Sequence, residues 1–175
     1  MNDGFNLIGN QLTYIKGKGF FIEEDRNTLK LYSIFEGAGI EVRKIHNMNL
    51  QRAQKTIYNC STNIFSAIYL KTFRELFEDE KLTERIKHTF FETYKILSKK
   101  VDLRQDKEIL WDKFYKVVKN MNHYSSTYQD IRANKITEIA FLNGQIVKLG
   151  QEMNIATPYN CRAIKEFREK YPTLY

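Results

Sequence analysis

The sequence predicts a mainly α chain: a helical domain over residues 47–175, preceded by a small α/β piece over residues 1–46. Three observations predict it. From about residue 47, apolar residues recur at spacings of three and four, the period of an amphipathic helix. Only two prolines and eight glycines occur in 175 residues, so little interrupts those helices. Before residue 46 the pattern changes to short, strand-like runs set between glycines. Hydrophobic residues make up 42% of the chain and aromatics 14%, enough for a packed core and against wholesale disorder.

Residues 12–16 and 19–23 read as two short strands separated by Gly17 and Gly19. Asn27 is placed to cap a helix carrying Leu31, Ile34 and Phe35, which Gly37 or Gly39 would end. Residues 40–45 alternate weakly, as a strand. This β-β-α-β unit is too small to bury both faces of a sheet, so its open edges predict self-association. A long helix follows over about residues 50–77, with a break near Leu70. Leu82, Ile86, Phe90, Tyr94, Leu97 and Val101 mark a second helix; Leu110, Phe114, Val117, Val118 and Met121 mark a third. Residues 122–135 are polar and read as a loop. Glu138 opens a fourth helix carrying Ile139, Leu142, Ile146, Leu149 and Met153. Thr157 caps a fifth, with Pro158 at its first position.

Charge and cysteine usage narrow the function classes. The 28 basic and 21 acidic side chains give a net charge of +7, but the two signs are interleaved. That disfavours a nucleic-acid surface and favours small anions. Cys60 and Cys161 form no CxxC, and His46, His88 and His123 show no metal-binding spacing, so neither a disulfide framework nor a metal site is expected. No secretory leader and no 18-residue apolar run is seen, which points to the cytoplasm and away from a membrane. Gly17-Lys18-Gly19 and Gly37-Ala38-Gly39 do not complete GxGxxG, because Ile22 and Val42 stand at the third glycine position; both read as turns.

Several residues could carry chemistry. Lys55, Asn59 and Asn63 lie at i, i+4 and i+8, one polar line along a helix, opposite an apolar line of Ile57, Cys60, Ile64 and Ile68. A solvated face is one reading. The other is a binding line: two mid-helix asparagines cost helix propensity, up to ~0.7 kcal/mol each, while their amides can hold a carboxylate or hydroxyl. A lysine held there among apolar groups would suit proton transfer. Glu138 reads as a charge compensating a helix dipole, and Ser126 as the N-cap of a short helical turn. The aromatics Phe90, Phe91, Tyr94, Phe114 and Tyr115 fit core or dimer packing.

These residues are also spaced as in a known family. Lys55, Asn59 and Asn63 match a W-x-K-x-x-x-N-x-x-x-N pattern. Residues 126–131 (STYQDI) match S-M-L-Q-D-I, and Glu138 follows Ser126 by twelve residues, as in T-E-I-D. Residues 143–147 (NGQIV) and 157–160 (TPYN) match two further elements. Together they resemble the ketopantoate reductase (2-dehydropantoate 2-reductase) family over about residues 12–172. Departures are Ala53 for the Trp, Ala140 for the Asp after the Glu, and Thr127-Tyr128 for Met-Leu. The resemblance implies a helical domain like the C-terminal domain of 6-phosphogluconate dehydrogenase, with residues 1–46 as the tail of a Rossmann domain. It also implies NADPH-dependent reduction of a 2-keto acid, a homo-oligomer, and NADP as cofactor, held mostly by a domain bearing the missing dinucleotide loop. Lys55 would protonate the alkoxide. Asn59 and Asn63 would hold the substrate, Ser126 would contact its carboxylate, and Glu138 would bind near the nicotinamide ribose and orient Lys55 or the substrate. Without the loop, this chain alone is expected to be inactive; a non-catalytic helical dimerisation module is the alternative.

Overall fold

The computed structural model describes residues 4–8, 10–15, 20–25 and 28–175. It divides into two compact units, Met1–Gln51 and Arg52–Tyr175.

Among the described residues, the first unit holds two two-stranded sheets. Strands β1 (Gly4–Ile8) and β2 (Gln11–Ile15) form an antiparallel hairpin with Ile8 opposite Gln11. Strand β1 was not expected from the sequence. Strands β3 (Phe20–Glu23) and β4 (Val42–Ile45) pair in parallel, Phe20 opposite Val42. Parallel strands need a crossover, and helix α1 (Leu29–Gly37) supplies it. The expected cap Asn27 and the turn at Gly17-Lys18-Gly19 lie outside the described residues. Thr28 stands at the α1 cap position without a side-chain bond to the helix; its hydroxyl instead donates to the Glu23 carbonyl at 2.6 Å. Of the two glycines expected to end α1, Gly39 carries the left-handed turn, at φ +72°.

Helix α2 (Met48–Tyr69) starts at Asn47, whose side-chain oxygen accepts from the Leu50 N–H at 2.9 Å. It ends where the sequence breaks, with Leu70 at φ +53°. Helix α3 (Phe73–Phe77) then begins at a capping box between Thr72 and Glu75. Hydrogen bonds from Thr72 hold the Glu75 carboxyl below the usual carboxylate range. Helices α4 (Glu80–Leu97) and α5 (Lys107–Val118) are capped by Asp79 and Asp106. Phe90 packs edge-on to Trp111 at 5.2 Å and tilted against Phe114 at 5.3 Å, and Tyr58 stacks on Phe114 at 4.8 Å. Such pairs each add ~0.5–1.5 kcal/mol beyond area burial, so Phe90 and Phe114 serve the core as expected.

The segment read as a loop contains helix α6 (Ser126–Arg132), capped by Ser125 rather than Ser126: the Ser125 hydroxyl accepts from the Tyr128 N–H at 3.0 Å. Too few apolar residues sit in this short stretch for periodicity to show it. The fourth helix is broken. Glu138–Ala140 form a 3-10 turn, Leu142 leaves helical geometry, and helix α7 runs over Asn143–Glu152. Glu138 therefore does not compensate the dipole of α7. Helix α8 (Pro158–Lys170) has Pro158 in its first turn and Thr157 at the cap position, but Thr157 makes no capping bond. Gly150 is required where α7 passes residues 155–157: a Cβ there would stand 2.6 Å from Thr157 Cγ2 and 2.7 Å from the Ile155 carbonyl. Among the described residues, no helix is long and apolar enough to cross a membrane.

Candidate active site

Helix α2 lays Lys55, Asn59 and Asn63 along one line, and the line sinks into the fold. Lys55 is exposed, Asn59 half-buried and Asn63 buried. The solvated-face reading fails at the Asn63 end and holds for Lys55. The opposite apolar line is wider than its four residues, because every residue from Cys60 to Ile68 is buried. Ser61 and Thr62 are tolerated there because their hydroxyls donate to the Ile57 and Tyr58 carbonyls one turn back. Burial pushes the Cys60 thiol well above its ordinary value, which makes it an inert packing group.

The other site residues reach this helix through neighbours. Ser125 bolts the start of α6 onto α2: its hydroxyl donates to the Asn63 carbonyl at 3.3 Å, and its N–H donates to the Ser66 hydroxyl at 3.2 Å. Ser126, the next residue, is exposed. Glu138 is exposed between buried Thr137 and Ile139. Thr137 ties the turn down on one side, its N–H and hydroxyl both donating to the Leu174 carbonyl at 2.9 Å. Among the described residues, Lys55, Asn59, Asn63, Ser126 and Glu138 make no side-chain hydrogen bond or ion pair with one another. The start of α6 thus sits on α2 at Asn63 and Ser66, and Lys55, Ser126 and Glu138 are exposed.

The two matched elements NGQIV and TPYN turn out to be structural. Asn143 and Asn160 are fully buried. The Asn143 amide donates to the Cys60 carbonyl at 2.9 Å and to Asn160 Oδ1 at 2.8 Å. The Asn160 amide donates onward to Glu92 Oε1 at 2.7 Å. Glu92 also accepts the backbone N–H groups of Tyr159 and Asn160, at 3.0 and 2.8 Å. It thereby caps α8 from a different helix, which is why Thr157 need not. Sequence reading missed Glu92, because nothing local marks which acid in a mixed-charge helix is buried. A surface groove lined by Phe77, Lys87, His88, Phe91 and Tyr115 among others contains none of the five candidate residues.

Residues 47–170 match the family model for the ketopantoate reductase PanE/ApbA C terminal. The chain belongs to the ketopantoate reductase family. A curated relative, the 2-dehydropantoate 2-reductase of Pyrococcus horikoshii, is 30% identical over 160 residues, 90% of this chain and 49% of the relative. The chain thus spans about half the length of that relative. Its fold is shared with the dimeric ketopantoate reductase of Staphylococcus aureus, at TM-score 0.84 and 15% identity over 95% of this chain and 58% of that one. It is also shared with D-mandelate dehydrogenase in complex with NADH and anilino(oxo)acetate, at TM-score 0.82 and 21% identity over 98% and 58% of the two chains. Family members are oxidoreductases, and the mainly helical fold with a small α/β piece is the one this family's matched half displays.

Proposed function

We propose that this chain supplies the substrate-binding and proton-donating side of an NADPH-dependent reductase acting on 2-dehydropantoate or a related 2-keto acid, yielding pantoate or its analogue. The observation that carries this reading is the Lys55–Asn59–Asn63 line, which passes from solvent into the fold where α6 is bolted to α2. Asn59 and Asn63 offer amides for the substrate's carboxylate or hydroxyl, and the exposed hydroxyl of Ser126 offers the carboxylate another donor. The Lys55 ammonium stabilises the developing alkoxide and gives it a proton. A reduced nicotinamide would supply the hydride. The exposed Glu138 carboxylate has the chemistry to accept hydrogen bonds from ribose hydroxyls, and the strongly exposed Ile136 and Phe141 beside it offer apolar surface to a ring. A nicotinamide dinucleotide cofactor, here taken as NADP, accords with the NADH-bound fold neighbour, and a homo-oligomer with the dimeric one. Two free thiols, Cys60 and Cys161, fit a reducing, cytoplasmic setting.

The test is NADPH oxidation with 2-dehydropantoate by a chimera joining residues 1–175 to the remaining half of the Pyrococcus horikoshii relative. Lys55→Ala should lower kcat by on the order of a hundredfold or more. Near-normal turnover by that variant would refute the assigned role. A second reading, a non-catalytic helical dimerisation module, is favoured by one observation: among the side chains described, none before Ala53 is buried. Calorimetry separates the two. The 175-residue chain alone should bind little NADPH under either reading, but only the first predicts binding of the 2-keto acid.

A further inference from the structure

We infer that Asn143 is a positioning residue: its side chain is a strut that sets the turn carrying Glu138 against the part of α2 carrying Asn59 and Asn63. The inference rests on the site reading proposed above, but its geometric part stands alone. Glu138 is closely tied to Asn143, because the Phe141 and Leu142 N–H groups both donate to the Glu138 carbonyl, at 3.0 and 2.9 Å. The Asn143 amide then reaches the Cys60 carbonyl at 2.9 Å, one residue after Asn59 and three before Asn63. The same amide is braced by Asn160, which Glu92 orients from α4. Asn143 is fully buried, so no water competes for these bonds. With the Thr137–Leu174 clamp before Glu138, the strut after it leaves the turn little freedom. Aspartate at this position would place a carboxylate oxygen against the Cys60 carbonyl, and alanine would remove the one side-chain link from this position to α2, so asparagine is the residue whose donor and length the position requires.

The experiment uses the 175-residue chain with Cys161→Ser, and spin labels on cysteines replacing Asn59 and Glu138. Pulsed dipolar spectroscopy reads the distance between them. The parent should give one narrow distribution. Asn143→Ala should broaden or shift it. Thr72→Ala, which opens the capping box of α3 and touches no part of the strut, should leave it narrow while lowering the melting temperature. If alanine fails to fold, Asn143→Ser, whose hydroxyl is too short to span to Cys60, takes its place. A narrow, unmoved distribution in the folded Asn143 variant overturns the strut. In the unlabelled chain, affinity for 2-dehydropantoate should fall about tenfold in Asn143→Ala, the scale of one lost hydrogen bond. If the unlabelled parent binds no 2-dehydropantoate, the functional reading fails while the distance measurement still decides the strut.

Discussion

The two units of this chain use the same local rules and reach different ends. In Arg52–Tyr175, each helix turns its apolar face onto another, and Ile57, Ile64, Phe65, Phe90, Ile146 and Phe167 are essentially removed from water. In the first unit, helix α1 has no buried residue, and Leu29, Leu31 and Ile34 are exposed. Its strands, turn and crossover are well formed, yet β3 and β4 make only a two-stranded parallel sheet, an arrangement found where both faces are covered by other elements. Correct local pattern forms an element; burial keeps it there.

The largest expected consequence is in protection from exchange. Backbone amides of β3, α1 and β4 should exchange with solvent on the order of a thousandfold or more faster than those of α4 and the second half of α2. Hydrogen exchange read by mass spectrometry checks this, and equal protection would break the comparison. Within the second unit, Asn160→Ala removes a fully buried amide that serves both Glu92 and Asn143. It should cost about 3 kcal/mol of stability by urea denaturation, whereas a polar-to-alanine change at exposed Glu36 in α1 should cost within about 0.5 kcal/mol. Gly150→Ala should cost ~1–3 kcal/mol, because the added carbon meets backbone as well as a side chain. Thr72→Ala, which removes one half of the capping box, should cost about 1 kcal/mol. The smallest effect is in pH. Burial beside Phe73 holds the His123 imidazole below its ordinary value. The unfolded chain then binds that proton more readily, so stability is lost as pH falls through about 6.5 toward the folded value, and the loss is complete below it. His123→Gln should flatten this part of the melting-temperature profile.

Much of the fold was legible because helix periodicity is a local signal. The break at Leu70, the Pro158 start of α8 and the long apolar helices all followed from spacing. What escaped was set by tertiary contact. Helix α6 is too short to show a period. The broken geometry at Leu142 has no local mark in the sequence, and the cap on α8 comes from Glu92, 65 residues before Thr157 in the numbering. For the site, the i, i+4, i+8 line was readable, but its gradient of burial was not, since that depends on where α6 lands on α2. The NGQIV and TPYN elements were legible as family matches, but the buried bonds of Asn143 and Asn160 that hold the frame were not. Glu138 stands at a 3-10 turn and not at the start of a longer helix, a difference that its spacing from Ser126 does not show.

The most direct test of the central claim is a titration of the isotope-labelled 175-residue chain with 2-dehydropantoate, followed by NMR. The predicted result is a set of shift changes confined to Lys55, Asn59, Asn63, Ser126, Glu138 and their immediate neighbours, abolished by Asn59→Ala combined with Asn63→Ala. No shift at these residues at millimolar ligand, or shifts gathered instead at the groove of Phe77, His88 and Phe91, would contradict it.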